Sequence, residues 1–210
     1  MAVLSQILKH KIVAIIRGAA PDDVLKIVEA IHAGGIRLVE ITMNSPGTLK
    51  LIEKISVSMQ DRVLIGAGTV LDAETAKAAI EAGAKFIISP SIDPATIRMT
   101  KNHDTVSIPG AFTPTEILSA FSHGGDIIKV FPARMGPDYI RDIRGPLPHI
   151  PLMPTGGLSL ENIAEFQKAG AIAFGIGSKL VNTKNKMTDE YLSKLRDDAS
   201  KFVHSVADRN

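Results

Sequence analysis

The chain has 210 residues, 45% of them hydrophobic and 22% charged, with a mean hydropathy of +0.15, which supplies one sizeable core and predicts a single domain over 1–210. The 24 Lys plus Arg against 22 Asp plus Glu leave a net charge of +2, too small to imply a nucleic-acid or anionic-membrane surface. No cysteine occurs, which excludes disulfides, Cys-ligated zinc and a Cys nucleophile, and makes the cytoplasm the default compartment.

The N-terminal MAVLSQILKHKIVAIIRG is apolar but interrupted by polar residues and followed by no small-residue cleavage site, so it reads as mature protein. No apolar run approaches the roughly 20 residues that span a bilayer, and a soluble protein is expected. Further along, short β-branched runs recur: IVAIIRG, LVEITM, VLIGAGTV, FIISP, TVSIPGA, IIKVFPA, PLMPTGG and AFGIGS. Between them lie amphipathic stretches, PDDVLKIVEAIHAG, DAETAKAAIEAG, TPTEILSAFSHGG and SLENIAEFQKAG, that open with Asp, Ser or Thr and close on Gly, the marks of capped helices. The helix endings HAGG, EAGA, SHGG and KAGA recur at a spacing of about 40 to 50 residues, as in a repeated βαβα unit. Strict alternation requires a parallel sheet, and eight alternations predict a single (β/α)8 barrel with its site at the C-terminal ends of the strands. An open doubly wound sheet is the runner-up; against it, IIRGAAPDD lacks the G-x-G-x-x-G dinucleotide fingerprint. TDEYLSKLRDDASKFVHSVADRN predicts a final helix covering the barrel.

Parallel strands buried on both faces should be nearly unbroken Val, Ile and Leu, so polar residues inside them need a reason. Arg17, Glu40, Thr69, Lys129 and Thr155 all fall late in their strands. By alternation, Glu40 shares a face with Leu38 and Thr42, and Lys129 with Ile127 and Phe131. If both faces point inward, two opposite charges meet in the barrel mouth and shift each other's pKa values. A structural Lys–Glu pair is the plainer reading. The sharper one is imine chemistry: a desolvated lysine is a nucleophile towards a ketone, the imine nitrogen becomes an electron sink, and Glu40 is the candidate acid/base.

MPTGGLS predicts a helix from about Ser159, with the Gly156 and Gly157 N–H groups near its N-terminus as an anion cradle. Gly175, Gly177 and Ser178 in the last strand lie beside it, where barrels often bind phosphate. Either glycine pair alone also fits an ordinary turn. Lys179 adds charge to the cradle or is simply solvated. Phe131 either walls a pocket around the imine carbon or fills the core, and Pro90 and Pro109 end strands, with Pro109 read as structural. No histidine ends a strand, and Glu40 has no neighbouring carboxylate or histidine at ligand spacing, so neither a metal nor a cofactor is expected.

In this order, VEITMNSP, IGAGTV, ISPS, IPGAFTPTE, IKVFPA, PTGG and GIGS resemble the 2-keto-3-deoxy-6-phosphogluconate/4-hydroxy-2-oxoglutarate aldolase family over essentially the whole chain. The resemblance implies a homotrimeric barrel that reversibly cleaves a phosphorylated keto-deoxy sugar acid to pyruvate and glyceraldehyde 3-phosphate. It makes Lys129 the Schiff-base lysine, Glu40 the proton shuttle, Thr69 a pyruvyl contact, Pro90 and Phe131 pocket residues, and Thr155 the position bearing on aldehyde-face selectivity. One departure stands out. The gluconate branch usually reads E-x-T-x-R-T, its arginine holding the pyruvate carboxylate, whereas this chain has Asn44 there, leaving Arg17 to supply the charged donors. IIRG, NSP and GPDYIRDI are similar to the 2-keto-3-deoxy-6-phosphogalactonate branch, while PTGG and EIT look like the gluconate branch.

The expectation is therefore a class I aldolase with Lys129 and Glu40 catalytic, Arg17 and Thr69 on the carboxylate, and Gly156, Gly157, Gly177 and Ser178 on phosphate. Two other readings remain open: a phosphate-binding barrel isomerase or synthase in which Lys129 is an electrostatic clamp, and a catalytically silent sugar-phosphate sensor.

Overall fold

The computed structural model describes residues 2–207, so the last three residues of the predicted terminal helix lie outside the described residues. Strands and helices alternate. The chain runs α1 (Val3–His10), β1 (Ile12–Ile16), α2 (Pro21–Ala33), β2 (Leu38–Thr42), α3 (Thr48–Ser58), β3 (Leu64–Gly68), α4 (Ala73–Glu81), β4 (Phe86–Ile88) and α5 (Pro94–Asn102). It continues through β5 (Val106–Ile108), β6 (Gly110–Ala111), α6 (Pro114–Ser122), β7 (Ile128–Val130), a 3-10 turn (Ala133–Met135) and α7 (Pro137–Arg144). The last elements are β8 (Leu152–Pro154), α8 (Ile163–Lys168), β9 (Phe174–Ile176) and α9 (Asp189–Ser205). None of the described helices is long and apolar enough to cross a membrane.

Helix starts follow local chemistry. Asp72 accepts from the Thr75 N–H, and Thr113 with Glu116 forms a capping box behind Pro114. α2 departs from expectation: its N-cap is Ala20, without a side-chain bond, and Pro21 supplies the preset φ instead. α8 departs further, beginning at Ile163 rather than near Ser159. Asn162 donates to the Gly157 carbonyl at 2.9 Å and accepts from the Ser159 N–H at 2.9 Å, which holds 159–162 as a turn. The Gly156–Gly157 loop therefore does not sit on a helix N-terminus.

All strand pairings are parallel. They form a six-stranded sheet, β5-β4-β3-β2-β1-β9, and a three-stranded one, β6-β7-β8, instead of one continuous eight-stranded sheet. The fifth predicted strand is split at Pro109, which has no N–H to donate. Before it β5 pairs with β4; after it β6 pairs with β7, and the Pro109 carbonyl accepts from Lys129 N at 2.9 Å. At the other seam a single bridge, Thr155 to Gly175, and a bond from Ile172 N to Leu152 O at 3.1 Å join β8 to β9.

Alternation divides the core in two. Ile12, Ala14, Ile16, Val39, Ile41, Ile65 and Val130 pack with the helices, the larger layer. Val13, Leu38, Phe86, Ile88, Val106, Ile127 and Met153 form a second, inner cluster, closed at the strands' N-terminal end by Val3, Leu4 and Ile7 of α1. The ionisable Glu40 and Lys129 continue the inner rows of β2 and β7 one step beyond Leu38 and Ile127. A buried apolar plug thus lies beneath them.

Candidate active site

Lys129 and Glu40 reach the same place from different strands. Only 4% of Lys129 and 1% of Glu40 are exposed. Neither Glu40 carboxylate oxygen has a hydrogen-bond partner among the described residues. Burial pushes the Glu40 carboxyl above its usual range, against the pull of Lys129 and Arg17. The same burial pulls the Lys129 ammonium below its usual value, opposed by Glu40 and assisted by Arg17. Both shifts favour the neutral forms, an amine with a free lone pair and a carboxylic acid with a proton to give. The Lys129 Nζ lies 5.0 Å from the centre of the Phe131 ring, which is 40% exposed and so walls the site rather than filling the core.

The carboxyl fits because β3 makes room for it. A Cβ on Gly68 would fall 1.5 Å from Glu40 Oε1, so any side chain there would occupy the space of the acid. Next to it, Thr69 takes a φ of 56°, unusual for a β-branched residue, and half-buried it turns into the cavity mouth.

Above Lys129 opens a cavity of about 610 Å3. Arg17, Thr69, Pro90, Lys129, Phe131, Thr155, Gly156, Gly157, Gly177 and Ser178, all singled out from the sequence, line it. Glu40 does not; it lies buried beneath. The Arg17 Nη1 donates to Asn44 Oδ1 at 3.3 Å, so the residue at the departing position holds the arginine itself. Backbone is pinned around them: Gly18 N donates to Ser45 Oγ at 2.8 Å, and Thr183 Oγ1 donates to the Arg17 carbonyl at 2.7 Å. At the opposite wall Gly156 and Gly157 have φ of 81° and 95°. Sequence reasoning missed Gly68, whose signal lay in the small-residue run GAGT, and Arg134, Asn182, Thr183 and Lys184 on the cavity rim. The rim residues sit in loops or, for Arg134, in the short 3-10 turn, and have no periodic signature.

A cavity at the C-terminal ends of parallel strands, with a desolvated amine and carboxyl at its floor, is the equipment of a carbon–carbon lyase that works on carbonyl compounds. Residues 3–195 match the family model described as "KDPG and KHG aldolase". A probable 2-dehydro-3-deoxy-6-phosphogalactonate aldolase of Rhizobium meliloti is 36% identical over 175 residues, 82% of this chain and 82% of its own length. A 2-dehydro-3-deoxy-phosphogluconate aldolase of Pseudomonas aeruginosa is 37% identical over 146 residues, 69% of this chain and 66% of its own. Among solved structures, KDPG aldolase from Legionella pneumophila, with pyruvate captured as a covalent carbinolamine, superposes with a TM-score of 0.82 at 25% identity, covering 98% of each chain. The chain belongs to the KDPG and KHG aldolase family and is an aldolase.

Proposed function

We propose that this enzyme is a class I aldolase that cleaves 2-keto-3-deoxy-6-phosphogluconate to pyruvate and glyceraldehyde 3-phosphate, and 4-hydroxy-2-oxoglutarate to pyruvate and glyoxylate. Its galactonate epimer is the second reading, favoured by the Arg17–Asn44 pair and by the Rhizobium meliloti relative. The observation that carries the proposal is the buried, neutral-shifted pair of Lys129 and Glu40.

The neutral Lys129 amine attacks the C2 ketone, forming a C–N bond. Glu40, as the acid, protonates the C2 oxygen, which leaves as water when the imine forms. Glu40, now a carboxylate, takes the C4 hydroxyl proton as the C3–C4 bond breaks; the bond's electron pair moves into the iminium to give an enamine, the aldehyde is released, and the proton held by Glu40 is the one returned to C3. Protonation at C3 and hydrolysis return pyruvate and the free amine. Arg17 and Thr69 hold the keto acid's carboxylate, Pro90 and Phe131 enclose the methyl side, and Thr155 bears on the aldehyde face. Gly156, Gly157, Gly177 and Ser178 receive the phosphate through close backbone approach.

The same proposal includes a closed (β/α)8 barrel over the single domain 1–210, supported by the bridge between β8 and β9 and by the strand direction carried through Pro109. It also includes a homotrimer, for which the family resemblance speaks, and a cytoplasmic location, with which the cysteine-free composition is in keeping. The test is pyruvate release from the three keto acids, with Lys129→Ala as control. Turnover by the native enzyme and loss in the variant are expected; turnover surviving the variant would refute the imine route.

A further inference from the structure

The cavity lining carries Arg17, Lys129, Arg134, Lys179 and Lys184 and no acidic residue. Lys129 is committed to the imine and Arg17, bound to Asn44, to the keto-acid end. That leaves Arg134, Lys179 and Lys184 for a substrate's second anionic group. Lys179 exerts a small pull on Glu161 but makes no ion pair among the described residues, and Lys184 has no side-chain partner among them either. Arg134 has no hydrogen-bond or ion-pair partner among the described residues.

Arg134 is set apart by its contact with the Gly156–Gly157 loop. It lies in the 3-10 turn after β7, and the preceding Ala133 N–H donates to the Thr155 carbonyl at 2.9 Å, which ties the turn to the Gly156–Gly157 loop. Its stem lies across Gly157: a Cβ there would meet Arg134 Cγ at 3.3 Å, and the φ of 95° already disfavours any other residue. The glycine thus exposes backbone to an anion and gives the arginine a track to reach over it. A planar guanidinium with two parallel N–H donors matches a phosphate monoester dianion better than a point charge does.

We propose that Arg134 is a specificity-determining residue that clamps the substrate's terminal phosphate against the Gly156–Gly157 loop, so that the enzyme prefers phosphorylated over unphosphorylated aldehyde halves. The proposal rests on the aldolase reading, with pyruvate on Lys129. In the synthetic direction, kcat/KM would be measured with glyceraldehyde 3-phosphate and with glyceraldehyde, for native enzyme, Arg134→Gln and Arg134→Lys. Inorganic phosphate binding would be titrated in parallel. The preference for the phosphorylated aldehyde should fall about 10- to 100-fold in Arg134→Gln, with phosphate affinity falling alongside, and recover in part in Arg134→Lys. An unchanged preference and phosphate affinity in Arg134→Gln would overturn the assignment. Reductive trapping of pyruvate on Lys129 is blind to phosphate. If trapping failed while Arg134→Gln still weakened phosphate binding, the aldolase reading would fall and the phosphate clamp would stand.

Discussion

Gly68 and Glu40 occupy one another's space: a single methyl at residue 68 would lie 1.5 Å from the acid's Oε1. Gly68→Ala must therefore push the carboxyl aside or spread β2 from β3. Overpacking of this kind costs about 1–3 kcal/mol, and a proton shuttle displaced by an ångström loses on the order of 10²-fold in rate. Thermal denaturation and pyruvate-release assays on the purified variant check both effects. A variant as active as native enzyme would show that the Glu40 position is not critical.

Glu40 should trade stability for function. Its carboxyl pKa is raised on folding, so the stability it contributes is complete below its ordinary value of 4.5 and is lost as the pH rises through the elevated folded value. Glu40→Gln removes this titration. The variant should gain on native protein as the pH climbs from 4 to 8, by about 2–4 °C in Tm for each kcal/mol released in a domain of this size, while its turnover collapses. A Tm difference that is flat with pH would contradict the raised pKa.

The Arg17–Asn44 bond predicts a graded pair of binding defects. Arg17→Gln removes the charged donor and should raise the KM for pyruvate about 10- to 100-fold; Asn44→Ala removes only the bond that orients it and should raise KM about 3- to 10-fold. Steady-state kinetics in the synthetic direction separates the two, and equal defects would mean that Asn44 touches the substrate itself.

Thr69 carries backbone strain that a glycine would relieve. At φ 56° a β-branched residue costs on the order of 1 kcal/mol, so Thr69→Gly should unfold no earlier than the native chain in spite of the greater chain entropy of glycine. Its KM for pyruvate should nevertheless rise, because the hydroxyl at the cavity mouth is gone. Differential scanning calorimetry with the same kinetic assay reads the split.

The sequence carried the strand–helix alternation because buried parallel strands and amphipathic helices differ in period, and it carried Lys129 and Glu40 because charge inside such strands is conspicuous. It did not carry the break at Pro109, where one strand changes partner, since period does not encode pairing. The late start of α8 was hidden because Asn162 satisfies Ser159 and Gly157 from within the turn, a choice between two local bonding patterns that composition leaves open. The roles of Gly68 and Arg134 are not legible in sequence for a common reason: each matters through one close approach to a residue distant in sequence, Glu40 for the first and Gly157 for the second, even though the run GAGT marks a place where small residues are needed.

Covalent capture tests the central claim most directly. Native enzyme incubated with pyruvate and borohydride, then digested and weighed, should carry one reduced pyruvyl group on the peptide containing Lys129, and Lys129→Ala should carry none. An unmodified Lys129, or a label on another lysine, would contradict the account.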